Sequence, residues 1–170
     1  MNAIVSVTRD WAIGNKGQLL VRNRDDMRFF RDQTMGGTVV CGRTTFQSFP
    51  GGALKGRRNV VLSRSEDYAP AGAEVVKSTQ EALDAVATDA PDRVWLIGGD
   101  RVYHELLDAC DTAYVTYNDV TLEADAFFPN LDDDPAWELA EVLGEGVTQQ
   151  GIAYEFRRYQ RVNGEVRRSV

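Results

Sequence analysis

The sequence predicts an α/β fold in a single domain, with a central, mostly parallel, twisted sheet, helices on both faces and a C-terminal antiparallel hairpin. Short runs of β-branched and apolar residues alternate with stretches of helical periodicity, and this order is the one that builds parallel sheets. Near the end of the chain the order changes to two alternating runs joined by a loop that contains glycine. That change is typical of a closing antiparallel hairpin.

Each predicted element follows from its local pattern. Strands are expected where short apolar and β-branched runs stand between turn residues, at residues 3–8, 38–41, 59–63, 73–76, 93–97 and 112–118. Helices are expected at residues 24–34, 44–48, 79–87 and 100–109, the third of them capped by Ser78. The hairpin strands are expected at residues 137–143 and 152–161.

The length of 170 residues suits one compact core. We expect the domain to span residues 1–162 and residues 163–170 to form a polar C-terminal tail. The 19 Lys and Arg residues against 26 Asp and Glu residues give a net charge of −7, which repels nucleic acid and anionic lipid. No apolar stretch is long enough to span a membrane, and the start is too short for a signal peptide, so a cytoplasmic protein is expected.

Residue usage excludes several mechanisms. Cys41 and Cys110 match no metal-site spacing, so two buried thiols without a disulfide are expected. The only histidine is His104, predicted to be a surface residue without a role, which leaves little for a His-assisted nucleophile or a multi-His metal site. We therefore predict no metal site, and expect the chemistry to come from carboxylates, backbone groups or a cofactor.

The first candidate site is the polar, glycine-containing segment 11–20 and the helix that follows it. The segment could act as a lid. Asp26 and Phe30 are four residues apart, so a carboxylate and an aromatic ring share one helix face. Partial burial would raise the pKa of this acid, and the pair would suit a substrate edge with two N–H groups. The alternative is that Asp25 and Asp26 only favour the helix N-terminus.

Two further candidate sites are strand ends where glycine precedes a helix. After Cys41 come Gly42, Arg43, Thr44 and Thr45, whose backbone N–H groups, charge and hydroxyls could hold a phosphate. Gly98 and Gly99 repeat this arrangement before residues 100–103 and would let a pyrophosphate approach the backbone. Each could equally be an ordinary strand-to-helix turn, and the spaced-glycine dinucleotide motif is not complete.

Taken in order, these segments make the chain resemble the dihydrofolate reductase family over nearly its whole length. The matching pieces are Ala12-Ile13-Gly14, Asp26-Met27-Arg28-Phe29-Phe30, residues 39–46 (VVCGRTTF), residues 54–63 (LKGRRNVVLS), Ile97-Gly98-Gly99, Tyr114-Val115-Thr116 and residues 125–129 (DAFFP). The resemblance implies a single-domain enzyme that transfers a hydride from NADPH to C6 of dihydrofolate, with protonation at N5. It also implies binding of antifolate inhibitors and a monomer.

The resemblance places the substrate among residues from several elements. Asp26 would bind the amino and ring N–H groups of the pterin, with Thr116 hydrogen-bonding beside it; these two are the expected catalytic residues. Arg57 would pair with the carboxylate of the glutamate tail, although alone it could be an ordinary solvated turn residue. The other substrate contacts that the resemblance implies are Ile4, Val5, Leu19, Met27, Phe30, Phe49, Leu54, Ile97 and Tyr103.

The resemblance places NADPH across the strand ends. Ser6 and Ile13 would hold the nicotinamide carboxamide, and Arg43, Arg64 and Arg101 would meet the adenosine 2′-phosphate. The full set of implied cofactor contacts is Ser6, Ile13, Gly14, Gly42, Arg43, Thr44, Thr45, Leu62, Ser63, Arg64, Gly98, Gly99, Asp100, Arg101 and Val102. The peptide bond between Gly98 and Gly99 is expected to be cis in this family.

Two departures from the family pattern matter. Leu20-Val21 stand where the family usually has Pro-Trp, so an indole N–H that helps hold an ordered water near the pterin is missing, and altered catalysis is expected. Lys55 stands where proline is usual. Two other functions remain open: a related NADPH-dependent reductase of another pterin or a pyrimidine precursor, and a non-catalytic NADPH- or folate-binding protein, for which the missing tryptophan is the best argument.

Overall fold

The computed structural model describes residues 1–162, and the predicted tail at residues 163–170 lies outside them. The strands are β1 (Asn2–Val7), β2 (Ala12–Asn15), β3 (Gln18–Leu19), β4 (Thr38–Gly42), β5 (Arg58–Leu62), β6 (Ala73–Val76), β7 (Val94–Gly98), β8 (Thr112–Asn118), β9 (Ala126–Phe127), β10 (Trp137–Val147) and β11 (Ala153–Arg161). The α-helices are α1 (Arg24–Thr34), α2 (Arg43–Gln47), α3 (Thr79–Ala85) and α4 (Asp100–Leu106). Single 3₁₀ turns cover Pro91–Arg93 and Leu107–Ala109.

The main sheet has eight strands in the order β10, β11, β8, β1, β7, β4, β5 and β6. All neighbouring pairs from β8 to β6 are parallel, whereas β11 pairs antiparallel with β8 and with β10. The predicted mostly parallel sheet with a closing hairpin is therefore confirmed. The carboxyl ends of β1, β4 and β7 lie side by side, and ligands bind at such ends in open α/β sheets.

Successive side chains of a strand point to opposite sides of the sheet, so the buried strands present an apolar face on each side. Both faces are covered by helices. Val40 and Leu96 lie in an apolar cluster with Val102 and Leu106 of α4. Val39 and Ile97 lie in a second cluster. That second cluster also contains Phe46 of α2 and, partly buried against it, Phe29 and Phe30 of α1.

A three-stranded sheet was not predicted. The segment expected to be an irregular lid forms a hairpin of β2 and β3, and β2 also pairs with β9. Phe128, directly after β9, stacks against Trp11 at 6.2 Å between ring centroids and meets Tyr103 edge-on at 4.8 Å. The loop is thereby attached to the core at its base, while Leu19 at its tip is 77% exposed.

The two cysteines are buried and the histidine is exposed, as the sequence predicts. Cys41 and Cys110 are buried, free thiols, and burial raises the pKa of each to about 12. His104 is on the surface, with its Nδ1 2.9 Å from a carboxylate oxygen of Asp100. Within residues 1–162 no helix is both long and apolar enough to cross a bilayer, and no group of three or more His, Cys, Asp or Glu side chains could hold a metal.

Candidate active site

The centre of the site is a carboxylate in the first turn of α1. Asn23 caps this helix, and its Oδ1 accepts hydrogen bonds from the backbone N–H groups of Asp25 and Asp26 at 3.0 and 3.3 Å. The side chain of Asp26 points to β8, where the buried Thr116 hydroxyl donates to its Oδ1 at 2.5 Å. The helix cap and the sheet together fix the position of this carboxyl group.

The surroundings of Asp26 favour its neutral form. Desolvation raises the pKa of Asp26 from its ordinary value near 3.8 to about 6, although the Thr116 hydrogen bond opposes this shift. No cation of residues 1–162 lies within ion-pair distance of this carboxylate. A carboxyl group that titrates close to neutral pH and lacks a cation partner would be stabilised in its ionised form by a ligand that donates two N–H hydrogen bonds.

Apolar side chains form the walls next to this carboxylate. Ile4, Ile97, Phe30, Phe49 and Leu54 all belong to one cluster under α1. Met27 is 69% exposed, so it offers an apolar surface that a ligand could cover. The side chain of Val5 lies in the cluster on the opposite face of the sheet, which leaves only its backbone for the role expected of it.

Two polar groups border the walls. The buried hydroxyl of Tyr103 donates to the backbone carbonyl of Ile4 at 2.6 Å, and burial raises the pKa of Tyr103 well above its ordinary value, so that hydroxyl stays protonated. At the far end of α1, Arg57 donates to the Lys55 carbonyl at 3.0 Å and to the Thr34 hydroxyl at 3.2 Å. Within residues 1–162 no carboxylate pairs with Arg57, and its held guanidinium suits an incoming carboxylate.

The two glycine turns lie side by side, because the strands that lead into them, β4 and β7, are neighbours in the sheet. The Gly98–Gly99 peptide bond is cis, as expected. A Cβ at Gly99 would come 3.0 Å from Thr45 Oγ1, and a Cβ at Gly42 would come 3.1 Å from Val102 Cγ2. Both distances are tighter than ordinary van der Waals contact, so glycine at these positions lets the starts of α2 and α4 lie close together. Backbone N–H groups at such turns can hold a phosphate. The backbone N–H groups of the two turns are the kind of donor that would fit the diphosphate of the cofactor that the resemblance implies.

The three arginines near these turns differ in the contacts that their guanidinium groups make. The guanidinium of Arg43 lies 4.1 Å above the ring of Tyr68, a contact that the sequence analysis missed because the two residues lie on separate elements. Arg101 is exposed and pairs with Glu105 on its own helix at 2.8 Å. Arg64 is exposed and has no ion-pair partner within residues 1–162.

The expected nicotinamide end is a narrow cleft between β1 and the β2–β3 hairpin. Its lining includes Ser6, Ile13 and Leu19, together with Leu20 and Val21. Asn118 was not predicted as a site residue, yet it is fully buried and donates to Ser6 Oγ and to the Val7 carbonyl, both at 2.9 Å. The sequence shows only that Asn118 is a polar residue at the end of a predicted strand, which does not indicate its contact with Ser6.

Three other expected cofactor residues lie within paired strands or next to one. Gly14 pairs with Leu19, Leu62 pairs with Gly42, and the backbone N–H of Ser63 donates to the Val76 carbonyl.

Comparison with known proteins agrees with this geometry. The family model described as dihydrofolate reductase matches residues 1–161. The chain belongs to the dihydrofolate reductase family. It is 39% identical to the dihydrofolate reductase of Neisseria gonorrhoeae, over 79% of this chain and 82% of that protein. It is also 39% identical to the dihydrofolate reductase of Mycobacterium tuberculosis strain H37Rv, over 88% of this chain and 90% of that protein.

A solved structure extends the match to the fold. Dihydrofolate reductase from Enterococcus faecalis, complexed with NADP(H) and RAB-propyl, superposes with a TM-score of 0.82 at 32% identity, covering 95% of this chain and 96% of that one. The chain is accordingly an NADPH-dependent oxidoreductase that reduces 7,8-dihydrofolate to 5,6,7,8-tetrahydrofolate. The matches favour this activity over reduction of another pterin or pyrimidine and over binding without catalysis.

Proposed function

We propose that Asp26 and Thr116 are the catalytic pair of this reductase and that the pterin binds with its amino and ring N–H groups on Asp26. The Thr116–Asp26 hydrogen bond carries the proposal, because the hydroxyl uses one acceptor position of Oδ1 and leaves Oδ2 to accept from N–H groups of the substrate. A carboxyl group with a pKa of about 6 is ionised near neutral pH and can stabilise a substrate that gains a proton.

The rest of the substrate would follow the apolar wall of α1 to Arg57. Phe30, Phe49 and Met27 would pack on its aromatic middle, and the guanidinium of Arg57 would pair with the tail carboxylate. Desolvation and the charge of Arg31 lower the pKa of Arg57, yet an arginine remains charged, so this pairing offsets part of the general repulsion from a net charge of −7.

The cofactor would lie across the carboxyl ends of β1, β4 and β7. NADPH supplies the hydride for pterin C6 when it is bound. Gly42 to Thr45 and Gly98 to Val102 would hold the diphosphate through backbone N–H groups, and Arg43, Arg64 and Arg101 would surround the 2′-phosphate. Ser6 and Ile13 would orient the nicotinamide, while Leu20 and Val21 line the cleft with side chains that carry no N–H donor. A water admitted at the β2–β3 hairpin would then deliver the proton to N5.

The test is Asp26→Asn with Asp32→Asn as the matched control, since Asp32 lies on the same helix and its side chain is 60% exposed. We expect Asp26→Asn to keep its affinity for NADPH, measured by fluorescence titration, and to lose dihydrofolate turnover near neutral pH by about two orders of magnitude or more. Asp32→Asn should keep both. Wild-type turnover in Asp26→Asn would refute the assignment of the catalytic carboxylate.

The assembly and location are also part of the proposal. We propose a monomer that works in the cytoplasm and binds dihydrofolate and antifolates, without nucleic acid. The acidic net charge and the family support this. Sedimentation velocity at micromolar concentration should give one species of about the mass of a single chain, and a concentration-dependent shift to double that mass would contradict the monomer.

A further inference from the structure

A second acidic residue at the head of α1 is bound by the C-terminal hairpin. The hydroxyl of Tyr154 on β11 donates to Asp25 Oδ2 at 2.7 Å and joins parts of the chain 129 residues apart in sequence. Tyr154 is only 4% exposed, and donating this bond to the carboxylate raises the pKa of Tyr154 above its ordinary value, so the hydroxyl remains a donor at neutral pH. Asp25 is the direct chain neighbour of Asp26.

The hairpin makes room for this tyrosine with a glycine. Gly146 on β10 lies directly opposite Tyr154 in the antiparallel pair. A Cβ on Gly146 would come within 2.4 Å of the Tyr154 hydroxyl oxygen, whereas a Cβ on Gly144, two residues earlier on the same strand, would make an ordinary 3.5 Å contact with Phe156. The Tyr154 ring therefore lies over Gly146, and its hydroxyl reaches Asp25 of α1.

Strand β11 also pairs with β8, the strand whose Thr116 bonds Asp26. Along the β8–β11 pair, Tyr154 is opposite Asn118 and Phe156 is opposite Thr116, the hydrogen-bond donor to Asp26. Phe156 also stacks on Phe29 of α1, with 4.5 Å between ring centroids. The first two turns of α1 are thus joined to neighbouring strands at three successive points: Asp25, Asp26 and Phe29.

We propose that Tyr154 is a positioning residue for the reductase reaction: by holding Asp25, it sets the position of the head of α1 and so the distance at which Asp26 meets Thr116 and the pterin. Without that bond the head of α1 is held by the Asn23 cap, by the Thr116 hydroxyl and, one turn further on, by the stacking of Phe156 on Phe29. The inference rests on the assignment of Asp26 as the pterin-binding carboxylate. It adds a residue that touches neither substrate nor cofactor.

The first experiment compares Tyr154→Phe with Tyr159→Phe. Tyr159 is the matched control because it lies on the same strand, is fully buried and donates to a carboxylate, Asp132, at 2.8 Å. Both variants lose a part-buried hydrogen bond to a carboxylate, and Tyr159→Phe also loses the bond that its hydroxyl accepts from Arg157 at 3.2 Å, so the control should lose at least as much stability in urea. Only Tyr154→Phe should raise the KM for dihydrofolate, by about tenfold, with the NADPH dissociation constant unchanged. Equal KM values in the two variants would overturn the proposal.

The second experiment tests the Asp25 contact itself. Asp25→Asn keeps an oxygen that can accept from Tyr154 and should retain nearly wild-type KM, whereas Asp25→Ala should reproduce the rise seen in Tyr154→Phe. The double variant Tyr154→Phe/Asp25→Ala should be no worse than either single variant, because both remove the same bond. Additive losses would show that the two residues act separately and would refute the link.

A third pair of variants tests the route of the ring without touching either polar group. Gly146→Ala should displace Tyr154 and raise the KM for dihydrofolate, and Gly144→Ala should leave it unchanged. Loss of dihydrofolate turnover in Asp26→Asn checks the underlying function independently. If that variant loses turnover while Gly146→Ala and Tyr154→Phe keep wild-type KM, the positioning role fails and the assignment of Asp26 stands.

Discussion

At the scale of single residues, the site pairs a desolvated acid with one hydroxyl donor and no cation among the described residues. Such a carboxylate is held in a state that costs folding free energy, because burial penalises its charge and the Thr116 bond returns only part of that cost. Functional sites commonly carry such a cost in exchange for a group poised to react near neutral pH.

This cost predicts a pH-dependent gain in stability for Asp26→Asn. The pKa of Asp26 is about 6 in the folded protein and near 3.8 when unfolded, so the unfolded chain loses the proton first as pH rises. Wild-type stability therefore falls from about pH 4 to about pH 6 relative to a neutral amide. We expect Asp26→Asn to melt a few degrees above wild type near pH 7 and at the same temperature below about pH 4.

Thermal melts followed by circular dichroism across this pH range measure the difference. Asp32→Asn, exposed and on the same helix, controls for the charge change alone and should track wild type. A difference between Asp26→Asn and wild type that stays constant with pH would mean that titration of Asp26 is not its source.

At the scale of elements, the strands and helices of the main sheet were predictable because each carries a local signal. Buried parallel strands such as Val94–Gly98 are nearly continuous apolar runs, and α3 begins at a Ser78 cap whose hydroxyl accepts from Glu81 N–H. The strands β2, β3 and β9 were missed because they contain two to four residues each and form only by pairing across the chain.

The candidate site also has parts that the sequence indicates and parts that only the folded structure shows. Asp26 and the glycine turns stood out in the sequence, but their assignment needed the family resemblance, since each pattern also fits an ordinary cap or turn. The contacts of Asn118 with Ser6 and of Tyr154 with Asp25 join residues more than a hundred positions apart. No periodicity or motif marks such pairs in one sequence, and only the folded arrangement of strands brings them together.

The close approach of α2 and α4 predicts a repairable defect. Gly42→Ala places a methyl group 3.1 Å from Val102 Cγ2, so the Val102 side chain or the start of a helix must shift by a few tenths of an ångström. We expect the affinity for NADPH to fall by about tenfold, and the double variant Gly42→Ala/Val102→Ala to recover most of it, because the second change removes the clash.

Isothermal titration with NADPH measures each variant. Gly51→Ala is the control, since a Cβ at Gly51 would meet no atom within 4 Å. An equal loss of affinity in the single and double variants would exclude the contact with Val102 as the cause.

At the scale of the whole molecule, an acidic protein must bind a substrate and a cofactor that are both anionic. Two arginines at the candidate site have no ion-pair partner among residues 1–162: Arg43 lies on Tyr68, and Arg57 is held by Lys55 and Thr34. Many surface arginines are instead neutralised, as Arg58 is by Glu74 and Asp89. The excess of acidic residues therefore acts on the stability of the fold more than on the local binding of anions.

The excess charge predicts how salt changes stability. Near pH 7 a net charge of −7 makes the compact state repel itself more than the expanded unfolded chain. Raising NaCl from about 10 mM to about 0.5 M shortens the Debye length from about 30 Å to below about 8 Å. Exposed ion pairs, worth about 0–1 kcal/mol each, lose less by this screening than the repulsion does. We expect Tm to rise with NaCl near pH 7 and to change little near the isoelectric point, about pH 4.7; a Tm that falls near pH 7 would mean that the ion pairs outweigh the repulsion.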